Sequence, residues 1–304
     1  MERRKLSVTG SAMASHDPHC PPPDPFPRRP RHPVPAGATD CHAHIIGPAS
    51  RYPFVENRSY TPPDALLPDY LHVLKTIGFT RAVLVQPSMH GDDNTVMMTA
   101  MAEAHGIDMR AVVVVPPTID EASLVHLHQR GARGVRINLI YSGGNVDVAS
   151  AAEIAARIRD LGWHLQLLAD VSQIGDALLD LEKLPVPLVF DHLGHLPAGK
   201  GVADRGFSAL LEMVKRGRTW VKLSGAYRLA DTDLPYPDVR PFCDMLVAAN
   251  ADRMLWGTDW PHTVCRHRMP NDGDLVELIC DWLGSEPLIR KVFVTNPERL
   301  YGFR

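Results

Sequence analysis

Asp40, Cys41, His42, Ala43 and His44 form the stretch of this 304-residue chain best suited to chemistry. An extended strand sends alternate side chains to one face, so His42 and His44 can converge on one metal ion or one substrate oxygen. A second set lies near the far end, where Thr258, Asp259, Trp260, Pro261 and His262 follow a short apolar run. Asp259 is a carboxylate able to take a proton from water. Each set alone also has a plainer reading, packed imidazoles for the first and a helix cap for the second. The elements between them decide whether they meet.

Eight short β-branched runs bounded by turn residues punctuate the chain: 38–46, 81–87, 109–115, 134–140, 163–168, 187–191, 220–224 and 253–257. Segments of helical periodicity separate them, at 64–76, 94–105, 119–130, 149–161, 171–181, 207–216, 239–250 and 275–283. Thr118 and Asp272 to Asp274 serve as start signals for two of these. Strict alternation with near-continuous apolar strands predicts a parallel sheet covered by helices, and eight repeats fit a closed (β/α)₈ TIM barrel over 38–304. A doubly wound open sheet competes, but no G-x-G-x-x-G turn follows the first strand.

Residues 1–37 stand apart. From His16 to Pro35 prolines crowd among Arg28, Arg29 and Arg31, which excludes a helix or central strand. An extended Pro-rich leader is expected, mobile or lying as an arm on a neighbouring subunit, an arrangement that a homodimer would allow. The formal net charge of −3 provides no basic field for nucleic acid or an anionic membrane, so a small molecule is the expected partner. Five scattered cysteines without C-x-x-C spacing argue against a disulfide framework or zinc ribbon and suit a reducing cytoplasm. The N-terminus lacks the apolar core of a secretory signal, and no run has the roughly 18 to 20 apolar residues a membrane span needs.

Active sites of such barrels sit at the C-terminal ends of the strands. Polar residues there are His42 and His44, Gln86 and Ser88, Arg136 and Asn138, Gln166, Asp191, His192 and His195, Lys222, Ser224 and Arg228, then Thr258, Asp259 and His262. They outline a site in which water attacks a carbonyl. Asp259 is the expected general base, while His42, His44, His192 and Arg136 polarise the carbonyl and hold the oxyanion. Zinc would accept His42, His44 and Asp259. A binuclear centre is disfavoured, because Arg136, Asn138 and Gln166 stand where a bridging carboxylate or lysine would be needed. The expectation is that no metal is required, with a single divalent ion as the alternative.

The segments 40–48, 51–54, 60–62, 84–88, 91–94, 134–138, 190–194, 220–225 and 255–262 resemble the 2-pyrone-4,6-dicarboxylate lactonase branch of the amidohydrolase superfamily. The run from Gly257 to His262 is the most specific piece. The resemblance implies the (β/α)₈ barrel and metal-independent hydrolysis of a lactone. It places His42, His44, His192 and Asp259 in the catalytic set, and Tyr60, Ser88, Arg136 and Arg228 at substrate-binding positions. Asn138 and His195 join the substrate-facing candidates.

Three positions depart from that pattern. Ser142 replaces an arginine, Leu168 a tyrosine and His195 another arginine. Loss of a bidentate carboxylate clamp points away from a dicarboxylate and toward a lactone with one main anionic group, from aromatic degradation or a sugar acid. A zinc-dependent decarboxylase related to aminocarboxymuconate semialdehyde decarboxylase, a lactone isomerase and a non-catalytic binding barrel are the competing functions.

Overall fold

A computed structural model describes residues 20–141, 148–175, 177–265 and 268–304. Eight parallel strands run in sequence order: β1 (Thr39–Ala43), β2 (Arg81–Val85), β3 (Asp108–Val113), β4 (Ala132–Asn138), β5 (His164–Leu168), β6 (Leu188–Phe190), β7 (Thr219–Lys222) and β8 (Met254–Leu255). The Cys41 amide donates to the Trp256 carbonyl at 2.9 Å and the His44 amide to the Trp260 carbonyl at 2.8 Å, which joins the last strand to the first. The result is a (β/α)₈ barrel, as the alternation predicts. Among the described residues no helix is long and apolar enough to cross a membrane.

The lower interior is filled by Val83, Val85, Val112, Val189 and Leu255, and Tyr301 and Phe303 from the C-terminal segment pack against them. Burying each aliphatic side chain stabilises the fold by about 1.5–3 kcal/mol relative to exposure. A larger apolar shell lies between strands and helices. Most buried charged groups lie above this layer, while His164 at the start of β5 is buried beside Tyr301.

Local chemistry adjusts several expected boundaries. The first helix, Leu67–Ile77, starts later than residue 64 because Pro68 opens it. The helix at 121–129 is capped by Asp120, whose side chain accepts from the Ser123 amide, and not by Thr118. Asn271 caps 272–283 in the same manner. The helix expected over 171–181 breaks into Val171–Ile174 and Ala177–Glu182, with Gly175 between them.

The Pro-rich segment is extended, as its composition predicts. Its described part, 20–37, lies along this chain's own barrel: Arg28 and Arg31 pair with Asp274 and Glu277, and His32 meets Asp281. Asn271 fastens it further, accepting from the Arg28 amide and donating to Asp24 and to the Phe26 carbonyl. Three basic residues thus match acidic residues on one face of 272–283 and lay the described residues 20–37 along it as an extended arm.

Candidate active site

Strand β1 does not alternate simply. A register shift between Asp40 and Ala43 separates the direction of Asp40 from that of the histidines. Asp40 accepts from the Tyr70 hydroxyl at 2.8 Å and from the Thr258 hydroxyl and amide at 2.6 and 2.9 Å, tying β1 to the segment after β8. His42 and His44 turn to the mouth. Gly257 permits the close approach, since a Cβ there would lie 2.4 Å from the His42 amide nitrogen. Gly225 plays the same part beside His192, where a Cβ would meet the imidazole at 2.7 Å.

Asp259 sits at φ 66°, a left-handed conformation costing about 1–3 kcal/mol for a residue with a side chain. His192, His195 and His262 share it, with φ between 50° and 61°. The Asp259 amide donates to the His42 carbonyl at 2.8 Å, which fixes the turn over β1. Its Oδ2 accepts from the Tyr227 hydroxyl at 2.6 Å and from Arg228 Nε at 2.5 Å. Its Oδ1 has no hydrogen-bond partner and lies 3.8, 4.0 and 3.7 Å from Nε2 of His42, His44 and His192.

Protonation follows from these contacts. Burial alone would raise the Asp259 pKa, but Arg228, His192 and His42 outweigh it and hold the carboxyl well below its usual range. Burial lowers His42 to about 4, with Lys222 adding to the effect and Asp191 opposing it. His44 and His192 are pushed well below the ordinary imidazole value, chiefly by burial, and His195 falls to about 4 through burial and Arg228. All four rings are thus pushed toward the neutral form near pH 7. His44 Nδ1 lies 2.7 Å from the Val85 carbonyl, an acceptor, so Nδ1 carries the proton and Nε2 presents a lone pair to the site.

Beneath these rings lies a buried polar layer. Lys222 Nζ donates to Gln166 at 2.7 Å and stands 3.2 Å from His42 Nδ1 and 3.4 Å from Asp191 Oδ1. Gln166 donates in turn to Asp191 at 3.0 Å, and Arg136 Nη2 lies 3.6 Å from the same carboxylate. Burial opposes the charge of Asp191, but His42 and Lys222 outweigh it and keep its pKa well below the usual range. Lys222 was visible in the sequence as a strand-end residue without a role; it supports His42. Tyr227 escaped notice because it lies in a short turn beside Arg228.

The pocket above is lined by His44, Tyr60, Arg136, Asn138, Tyr141, Leu168, His192, His195, Arg228, Asp259 and Thr263. Nine of the ten candidate residues meet in this mouth or directly beneath it: His42 lies just below, and only Ser88 sits apart, behind Tyr60 at 3.3 Å. Arg228 lines the pocket with Nε bound to Asp259 and Nη1 to the Thr263 carbonyl. Asn138 spends its oxygen on the Ile140 and Tyr141 amides and leaves Nδ2 unpaired. Ser142 lies outside the described residues.

His42, His44 and Asp259 bring one ligand atom each within 4.8 Å of one another, as do His42, Asp191 and His192. The first set, with His42 Nε2 and Asp259 Oδ1 both buried and unpaired, has the donor types a divalent ion accepts.

Comparison with known proteins identifies the family. A 4-sulfomuconolactone hydrolase of Hydrogenophaga intermedia is 36% identical over 273 residues, 88% of this chain and 90% of that protein. A 2-pyrone-4,6-dicarboxylate hydrolase of Comamonas testosteroni is 37% identical over 287 residues, 90% and 93% of the two chains. A ligand-free crystal structure from Agrobacterium tumefaciens matches with a TM-score of 0.83 at 30% identity, covering 90% of this chain and 99% of that one. Residues 39–303 match the amidohydrolase family as a whole, and the chain belongs to that family.

Proposed function

We propose that this protein hydrolyses a lactone of a small organic acid. The convergence of three imidazole Nε2 atoms on the bare Oδ1 of Asp259 carries this reading. Two buried acceptors, Asp259 Oδ1 and His44 Nε2, face each other and need hydrogen between them, which a water molecule supplies. Asp259 takes one proton as the water oxygen bonds to the carbonyl carbon. Arg136 and the free Nδ2 of Asn138 face the developing oxyanion. Collapse breaks the ring C–O bond, and Asp259 returns its proton to the leaving alkoxide, giving a hydroxy acid. The names of the two relatives as lactone hydrolases support the same reaction class.

Arg228 and Tyr60 flank the pocket, and Leu168 and His195 add no permanent charge to it. The favoured substrate is accordingly a lactone with one main carboxylate or sulfonate, or a sugar-acid lactone. A panel of such lactones with a pH indicator tests this. Turnover of 2-pyrone-4,6-dicarboxylate equal to that of monoanionic lactones contradicts the specificity. Asp259→Asn is expected to cost about 1000-fold or more in kcat, as loss of a general base does. Full activity in that variant ends the proposed chemistry.

A divalent ion held by His42, His44 and Asp259 would polarise the carbonyl and acidify water. Arg136, Lys222 and Arg228 already surround the carboxylates Asp191 and Asp259, so the site carries cationic excess before any ion enters. A further two positive charges would meet repulsion of several kcal/mol. Hydrolysis without a required metal is therefore proposed; activity abolished by chelator and restored by zinc refutes it.

A further inference from the structure

His262 follows Asp259 by three residues and does not line the pocket. Its ring is fully buried, with Nδ1 at 3.2 Å from the Tyr227 hydroxyl and Nε2 at 3.2 Å from Asp272 Oδ1. The Asp272 carboxylate is buried as well and has no hydrogen-bond partner for either oxygen beyond this close approach. A line of side chains thus runs Asp272, His262, Tyr227, Asp259 from the start of helix 272–283 to the oxygen beside the reacting one.

Hydrogen counting gives that line a direction. A tyrosine hydroxyl has one proton, and the 2.6 Å contact with the acceptor-only Asp259 Oδ2 consumes it. The Tyr227 oxygen can then only accept from His262, so His262 Nδ1 bears hydrogen. A second proton must lie between His262 Nε2 and Asp272, on either partner, or two lone pairs would face each other in a site without solvent. The His262 Nδ1 and Tyr227 donors therefore point toward Asp259.

We infer that Tyr227, His262 and Asp272 are positioning residues that hold the Asp259 carboxylate with Oδ2 turned away and Oδ1 turned to the imidazoles. Arg228 alone leaves one donor on Oδ2 and lets the carboxylate turn about its own bond. The Tyr227 hydroxyl supplies the second, and His262 keeps that hydroxyl from swinging to another acceptor, itself fixed by Asp272. The left-handed turns at Asp259 and His262 bring both side chains to Tyr227.

This inference rests on the proposed hydrolysis for its kinetic readout. Tyr227→Phe, His262→Gln and Asp272→Asn are each expected to lower kcat by about 10- to 100-fold with KM changed less than about twofold, the range seen for outer partners of catalytic groups. The double variant Tyr227→Phe/His262→Gln is expected to lose no more than Tyr227→Phe alone, because His262 acts only through Tyr227. Multiplicative losses, native kcat in His262→Gln, or a rise in KM at constant kcat would overturn it.

A readout free of turnover separates the two readings. In ring-nitrogen NMR of histidine-labelled protein, the resonance absent from His262→Gln should show a protonated Nδ1, altered in Tyr227→Phe. An unprotonated Nδ1 there refutes the positioning line even if lactones are hydrolysed. A protonated one that responds to Tyr227→Phe, in a protein that opens no lactone, removes the reaction and keeps the line. Should His262→Gln fail to fold, Tyr227→Phe and Asp272→Asn and their double variant decide the same question.

Discussion

Arg228 Nε lies 2.5 Å from Oδ2 of Asp259, within a pair almost wholly shielded from solvent. The guanidinium that the sequence assigns to substrate is thus first a partner of the carboxylate proposed as general base. It keeps Asp259 ionised in a site where burial alone would protonate it.

Arg228→Met should raise the Asp259 pKa toward and beyond the ordinary carboxylate range. The acid limb of kcat/KM then moves to higher pH, and activity near neutrality drops by about 100-fold, the order expected for loss of a buried electrostatic partner. A pH–rate profile compared with the native protein checks this, and an unmoved acid limb contradicts it.

Lys222 is the cation beneath His42, fully buried between Gln166 and Asp191. Lys222→Met leaves Asp191 with Gln166, the His42 ring and only the longer Arg136 contact as a permanent cation, and should destabilise the fold by about 3 kcal/mol. Lys222→Met/Asp191→Asn should recover part of that loss, since the stranded charge is removed as well. Urea unfolding of the single and double variants measures both, and additive losses would show that the two groups are not coupled.

Stability should fall steadily on acidification from about pH 6.5 to about pH 4. Burial lowers His42 and His195 to about 4 and His164 to about 3, and it pushes His44 and His192 well below their ordinary value. Groups that stay neutral when folded bind protons more readily when unfolded, so protonation of the unfolded chain draws the equilibrium away from the barrel. Asp40, raised to about 6 by burial, acts in the opposite sense but is one group against five. A melting temperature constant across this window would rule out the neutral imidazoles.

Asn271 joins the arm to the segment after β8 through Asp24, Phe26 and Arg28, and its side-chain oxygen also accepts from the Gly273 amide. Asn271→Ala should cost about 1–3 kcal/mol, the penalty for stranding buried polar groups. The exposed pairs of Arg28 and Arg31 should each contribute under about 1 kcal/mol and weaken with salt. Limited proteolysis checks the coupling: cleavage within residues 20–37 should accelerate in Asn271→Ala and change little in Arg31→Ala. The reverse ranking would assign the hold on the arm to the ion pairs.

The strand and helix alternation, the closure into a barrel and the meeting of His42, His44, His192 and Asp259 at its mouth could all be read from the chain. Hydrophobic period decides which segments are strands, and barrel geometry collects strand ends at one rim whatever the intervening residues are. The tertiary structure alone decided how each side chain there is spent. Arg228 turned to Asp259, Lys222 settled under His42, Ser88 withdrew behind Tyr60, and residues 20–37 lay along helix 272–283. Those choices depend on distances between residues far apart in sequence and on which charges lose their water together. Local pattern carries neither quantity, because burial and pairing belong to the folded arrangement as a whole.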